Sequence, residues 1–344
     1  MFSDVHLRNG QDNESLVNAI IEKFEELFNK KDLNIQFIVF LGDLFESREN
    51  QSFNTLKYGR ILLERISQFG CPFYIFRGNH DSVGYLDEES YISVLYGDLL
   101  QNTDITLSIQ SVTVNNINFY FLPYFSEEVN YEDYLEKIII KEGKNILFTH
   151  IGINPSKSSS IETLWKKSVN INLFNRFDKV FSGHFHDELE FGNISYIGAT
   201  NTQSFGEDYL TKGIKFLNFE TLKTINYPIN FKNHIRLELN LKEEKDNELI
   251  IEKIKNFKID NINNHLEVLV IGDLRDLQPV KDYCKKEGIK FKDNLSDEFI
   301  GKYSEKMLLK VENTDNDIIN SFEVFCEENN YSEILKFNND ILND

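Results

Sequence analysis

Ile35-Gln36-Phe37-Ile38-Val39-Phe40-Leu41-Gly42-Asp43 is the stretch on which the fold turns. Only Gln36 interrupts the apolar run, which lacks the alternation of a half-exposed strand and predicts a strand buried on both faces of a parallel sheet. It ends in a glycine and a carboxylate, and that phrasing recurs. Residues 72–76 predict a strand delivering Gly78-Asn79-His80-Asp81; residues 146–149 deliver His150; Val180-Phe181-Ser182 delivers Gly183-His184-Phe185-His186. Helices fill the gaps. Leu16, Ile20, Phe24, Leu27 and Phe28 stand at helical spacing within residues 15–29, and similar patterns cover about 52–69 and 131–142. Residues 112–125 read as a hairpin turning at Asn115-Asn116, and 189–198 and 214–227 as two more. The prediction is an α/β sandwich with every polar cluster at the carboxyl end of a strand, the edge where sites form in open α/β sheets.

Asp4-Val5-His6 opens this inventory under a handicap. A strand should precede Asp4 by about five residues, yet only Met1-Phe2-Ser3 stand there. Asp4 and His6 are therefore expected to be loosely held. From about residue 229 the pattern becomes strand (234–239), helix (248–257), strand (266–271) and helix (280–287), without metal-type clusters. The domain expectation is 1–228, a small α+β domain at 229–300, and an acidic helical segment at 301–344. That segment holds 4 Lys against 10 Asp or Glu, net −6, and Ile318, Ile319, Phe322 and Phe325 give one helix an apolar face. The face suits either docking of a partner or packing on this chain's own second domain. Ser156-Lys157-Ser158-Ser159-Ser160 reads as a loop.

Composition narrows the classes. Hydrophobic residues make up 41% and aromatics 13%, ample for a core, and no apolar run approaches a membrane span. Cys71, Cys284 and Cys326 are widely spaced and odd in number, which fits free thiols in a reducing cytoplasm. The net charge of −19 repels polyanions on average, so nucleic-acid binding would need cations or a partner to reverse the sign locally.

Five of the seven histidines fall in the inventory. Residues two apart on an extended strand end face the same way, which pairs Asp4 with His6 and His184 with His186. Glycines 42, 78 and 183 permit sharp turns and close approach. Taken singly these pieces are bland: Asp-x-His near a terminus is most often a solvated loop, Gly-Asp after a strand a turn, and one histidine a hydrogen-bonded core residue. Their co-occurrence at successive strand ends points to divalent cations in a mixed N/O shell of the kind Mn, Fe or Zn accepts. Asp43 is the best candidate to bridge two such cations. Two cations at ~3.5–4 Å can bind a phosphate diester and stabilise both attacking and leaving oxygens. His80, beside Asn79, suits the leaving group better than coordination, with Asp81 orienting its ring.

These residues resemble the signature of the calcineurin-like metallophosphoesterase superfamily. Phe2-Ser3-Asp4-Val5-His6-Leu7, Gly42-Asp43-Leu44-Phe45, Leu122-Pro123-Tyr124, Tyr196-Ile197-Gly198, Ser204-Phe205-Gly206-Glu207 and Lys212-Gly213 are similar to SbcD-type DNA repair and recombination nucleases, a family that includes the recombination nuclease subunit of T-even-like phages. The resemblance covers residues 1–228 closely and 229–298 loosely. It implies a metallophosphoesterase β-sandwich flanked by helices (αββα), followed by a capping domain and C-terminal helices. It implies one metal held by Asp4, His6, Asp43 and His186, and another by Asp43, Asn79, His150 and His184, with His80 at the transition state. It further implies manganese-dependent 3′-to-5′ exonuclease and endonuclease action on DNA, homodimerisation, and an SbcC-type coiled-coil ATPase as partner. Glu46 departs from the family, where His or Asp is usual; an ionised carboxylate there accepts a hydrogen bond but donates none, which bears on exonuclease activity. The competing readings are a relative acting on small diesters, nucleotides or phosphoproteins, and a weakly catalytic scaffold for an ATPase.

Overall fold

The computed structural model describes residues 1–83, 90–92, 103–106, 108–125, 130–154, 169–241, 246–272 and 277–294. The acidic segment 301–344 and the serine-rich loop lie outside the described residues. The chain divides into two compact units, Met1–Arg236 with Asn261–Leu266, and Leu237–Asp260 with the residues from Glu267 onward.

The first unit is a layered α/β sandwich. One sheet runs β1 (Ile38–Phe40), β2 (Phe73–Phe76), β3 (Thr103–Thr106), all parallel. The other contains β4 (Gln110–Val114), β5 (Ile117–Leu122), β6 (Lys144–Thr149), β9 (Lys179–Ser182), β10 (Leu189–Phe191) and β11 (Ile194–Tyr196), in the order β10-β11-β9-β6-β5-β4. Between β6 and β9 in sequence, β7 (Ile153–Asn154) and β8 (Val169–Asn170) pair separately, and β12 (Ile214–Leu217) with β13 (Thr224–Tyr227) closes an antiparallel ribbon.

Period-two alternation explains the unbroken apolar runs. Val39, Leu41, Phe119, Phe121, Ile146 and Phe148 meet in the core between the two sheets. The intervening Phe40 faces the helices α1 (Asn13–Asn29) and α2 (Phe53–Ser67), whereas Tyr120, Leu122 and Leu147 face α3 (Tyr131–Lys137). Each strand residue is thus buried on one side or the other, and the αββα expectation holds. Asp12 and Ser52 cap α1 and α2 through their side-chain oxygens. The hairpin at Asn115-Asn116 has both residues at positive φ (51° and 62°), the geometry of a type I′ turn, which asparagine tolerates. Helix α3 stops short of the expected residue 142. Ile138-Ile139-Ile140 are three β-branched residues in succession, and Arg176 takes the carbonyls of Leu135 and Ile138.

The expected weakness at the amino end is absent. Phe2 N donates to the Val39 carbonyl at 3.1 Å, Leu41 N to the Phe2 carbonyl at 2.9 Å, and Asp4 N to the Gly42 carbonyl at 2.9 Å. On the other edge Thr200 N and Lys215 N donate to the carbonyls of Ser3 and Met1. A few residues suffice because they are paired on both edges and Phe2 is fully buried against Phe24, Phe40 and Phe73.

The second unit centres on the sheet β14 (His234–Asn240), β15 (His265–Ile271), β16 (Lys290–Asn294), with α4 (Asn247–Asp260) and α5 (Gln278–Lys286) contributing Ile250, Ile254, Val280 and Cys284 to its interior. Strand β16, absent from the sequence reading, pairs parallel with β15; its lysines and aspartate mask the alternation.

Candidate metal centre

The carboxyl ends of β1, β2, β6 and β9 converge at one edge of the sandwich, and the amino-terminal segment runs parallel to residues 38–45 there. The turn that each chain makes on leaving the sheet is tight. Asp4, His6, Asp43 and His184 all adopt positive φ (52°, 48°, 59° and 88°), a region costly for residues with a Cβ and found preferentially where function demands it. A Cβ on Gly42 would lie 2.5 Å from Gly78 N, and one on Gly183 would lie 2.7 Å from His150 Nδ1. These two glycines let four chain segments touch.

All seven expected ligands meet in two adjoining clusters. In the first, His6 Nε2 lies 3.2 Å from His186 Nε2 and 3.7 Å from both Asp4 Oδ1 and Asp43 Oδ2. In the second, Asn79 Oδ1 lies 3.0 Å from His150 Nε2 and 2.9 Å from His184 Nδ1, while His150 Nε2 is 3.2 Å from Asp43 Oδ2. Asp43 is the shared corner. Its other oxygen, Oδ1, accepts from the His80 backbone N at 2.8 Å, which leaves Oδ2 facing both clusters. Asp4, Asp43, His6 and His150 are essentially buried.

The donor chemistry fits divalent cations. In the second cluster the Asn79 oxygen faces the nitrogens of His150 and His184 and the Asp43 carboxylate. Turned over, the amide would instead donate to those groups at 2.9, 3.0 and 3.3 Å, and its oxygen would accept from Arg48. A converging set of lone pairs is resolved either by that amide reversal or by a cation among them. His150 Nδ1 donates to the Leu41 carbonyl at 2.5 Å, which directs the Nε2 lone pair inward.

The same logic sets the protons in the metal-free site. Burial opposes charge on His6, but hydrogen bonds to Asp4 and Glu46 and the Asp43 carboxylate outweigh it and raise the ring to about 10. Burial likewise opposes charge on His150, yet Asp43 lifts it to about 9. Burial, then the His150 charge, lowers His184 to about 4. Asp43 is held far below the carboxylate range because His150 and His6 overcome its burial.

The three expected non-ligand residues are placed as follows. His80 Nδ1 donates to the Glu46 carbonyl at 2.6 Å, and the ring stands 4.9 Å from that of His6, edge-on. His80, His6 and Asp43 present donor atoms all within 4.8 Å of one another. The side chain of Glu46 turns to the first cluster, with Oε2 2.8 Å from His6 Nδ1 and 3.4 Å from Arg8 Nη2. The hydrogen bond from His6 is the main cause that lowers Glu46 to about 2. Asp81 corrects the expectation. It does not orient His80; its carboxylate accepts from the backbone N of Asp43 (2.8 Å), Gly78 (3.0 Å), Leu44 (2.8 Å) and Phe45 (3.1 Å). It fastens the two metal-bearing loops together, and burial with the Asp43 charge pushes it up to about 7. Sequence reasoning missed Glu207, whose Oε1 lies 3.1 Å from His186 Nδ1; no spacing rule links residues 21 apart.

Comparison with known proteins agrees with this geometry. The chain is 27% identical over 251 residues to the SbcD subunit of the SbcCD nuclease of Staphylococcus saprophyticus, an alignment covering 64% of this chain. The chain spans 64% of the length of that curated relative. The family model described as calcineurin-like phosphoesterase matches residues 1–188, more than half of the 344. By that match, the chain belongs to the calcineurin-like phosphoesterase family.

Proposed function

We propose that the chain is a two-cation phosphodiesterase acting on DNA, the nuclease subunit of an SbcCD-like complex. The observation that carries this reading is the pair of lone-pair clusters sharing Asp43 Oδ2, with His80 beside them. Calcineurin-like phosphoesterases use divalent metals, and the His and Asp groups here can hold them. One ion would sit with Asp4, His6, Asp43 and His186, the other with Asp43, Asn79, His150 and His184; manganese suits this mixed N/O shell. Bound there, two cations would supply an acidified water and neutralise the phosphate.

The chain's own residues do the rest. The Glu46 carbonyl fixes the His80 tautomer by taking its Nδ1 proton, so the charged ring donates from Nε2 to the departing oxygen. Glu46 accepts from His6 as well, which ties the position of the acid to that of the first cluster. Asp81 holds both loops at fixed separation. The SbcD relative supports DNA as substrate, 3′-to-5′ exonuclease and endonuclease action, and an SbcC-type ATPase as partner; the small second unit then serves as a capping domain, and homodimerisation belongs to the same reading.

The net charge of −19 favours a second reading, hydrolysis of small diesters or nucleotides. Incubation with manganese and either end-labelled duplex DNA or a chromogenic phosphodiester separates the two. Cleavage of the duplex is expected; turnover of the small ester alone would sink the nuclease reading.

A further inference from the structure

Two segments of the sequence have so far no task, Ser204-Phe205-Gly206-Glu207 and Lys212-Gly213. They meet behind His186. Glu207 Oε1 lies 3.1 Å from His186 Nδ1 and accepts from Ser204 Oγ at 3.0 Å. Its Oε2 accepts from the Gln203 backbone N at 3.0 Å and lies 3.1 Å from Lys212 Nζ. Lys212 Nζ also reaches the His186 carbonyl at 2.5 Å and Asp187 Oδ1 at 2.8 Å. One ammonium therefore grips both the main chain of His186 and the carboxylate that meets its ring. Only 2% of Lys212 and 9% of Glu207 side-chain surface is exposed. A buried ion pair is weak as a source of stability, because desolvation offsets most of the attraction. This one is better explained by what it holds in place.

We propose that Glu207, clamped by Lys212, is a positioning residue that fixes the His186 ring with its Nε2 lone pair toward the first cluster, and so sets cation affinity in that cluster alone. The inference rests on the two-cation reading. A carboxylate only accepts, so the nitrogen facing Glu207 must carry the proton and the opposite one is free to ligate. A glutamine in its place keeps its oxygen on Lys212 and Gln203 N and turns its NH2 toward Nδ1. The tautomer then reverses, and an N–H points where the cation should be. The second cluster is independent of this device, since the Leu41 carbonyl performs the corresponding task for His150.

The test titrates Mn²⁺ into the metal-stripped full chain, followed by calorimetry and by the electron paramagnetic resonance signature of coupled against isolated Mn²⁺. Glu207→Gln should keep one site within about twofold and weaken the other by about 10–100-fold, with the coupled signal replaced by an isolated one. Lys212→Met should weaken the same site, and the exposed Glu190→Gln should change neither. Combining Glu207→Gln with His186→Ala should add nothing to His186→Ala alone, as expected of residues acting through one another. Two sites of unaltered affinity in Glu207→Gln, or both sites weakened together, would overturn the proposal. A wild-type chain that binds fewer than two Mn²⁺ would instead refute the two-cation reading itself.

Discussion

The two clusters share a corner but are built by different means. In the first, carboxylates stand behind both imidazoles, Glu46 behind His6 and Glu207 behind His186. In the second, a main-chain carbonyl stands behind His150, and His184 turns Nδ1 inward while its backbone N donates to Asp4 at 3.2 Å. The first is tuned by charge and sits partly open, with His186 34% exposed; the second relies on burial. A carboxylate raises the basicity of the ring it contacts, while a carbonyl mainly orients it. One site can thus be altered by remote acidic residues and the other cannot.

Asp43 is where the comparison breaks most completely. Asp43→Asn should cost both cations at once and reduce ester hydrolysis to background; metal analysis retaining one ion would show that the clusters do not depend on a common corner. His80→Ala comes next. It should lower cleavage by about 10²–10⁴-fold while metal content stays unchanged, because the ring is assigned to the leaving group. Normal cleavage by that variant would remove His80 from the mechanism.

The smallest effect is on stability. In the metal-free chain His6 rises to about 10 and His150 to about 9, both above the ordinary 6.5. Groups held above their unfolded values lend stability that is fully present below about pH 6.5 and is lost as pH climbs through the folded values. The metal-free melting temperature should therefore fall between about pH 8 and 10.5, and the fall should disappear with Mn²⁺ bound, since cations take the place of the protons. Scanning calorimetry at several pH values reads this, and a flat metal-free profile would contradict the proton placement.

What the sequence disclosed follows the same division. Asp43, Asn79, His150 and His184 were legible because each terminates an apolar run or follows it within a few residues, and the runs sit buried on both sides as their composition requires. The support of Asp4 and His6 was not legible, because Met1-Phe2-Ser3 is too short to read as a strand and owes its order to neighbours nearly 40 and 200 residues away. Glu207 and the true partners of Asp81 were hidden for related reasons. The carboxylate of Asp81 binds backbone N–H groups, which every sequence offers, and Glu207 acts only through the packing of its loop. Strand β3, Thr-Asp-Ile-Thr, carries no hydrophobic run and takes its place by pairing with β2.

His184 and His186 belong to different clusters yet lie within one tetrapeptide, Gly183 to His186, and His184 N and His186 Nε2 reach partners 180 residues earlier. On a ribosome that emits its product from the amino end, this makes the last-arriving histidines the ones that complete both halves of the centre. Every nascent or prematurely terminated chain ending before residue 184 lacks an imidazole in each cluster. The enzyme is thus assembled as an all-or-nothing device in time as well as in space, and an unfinished copy carries no working half.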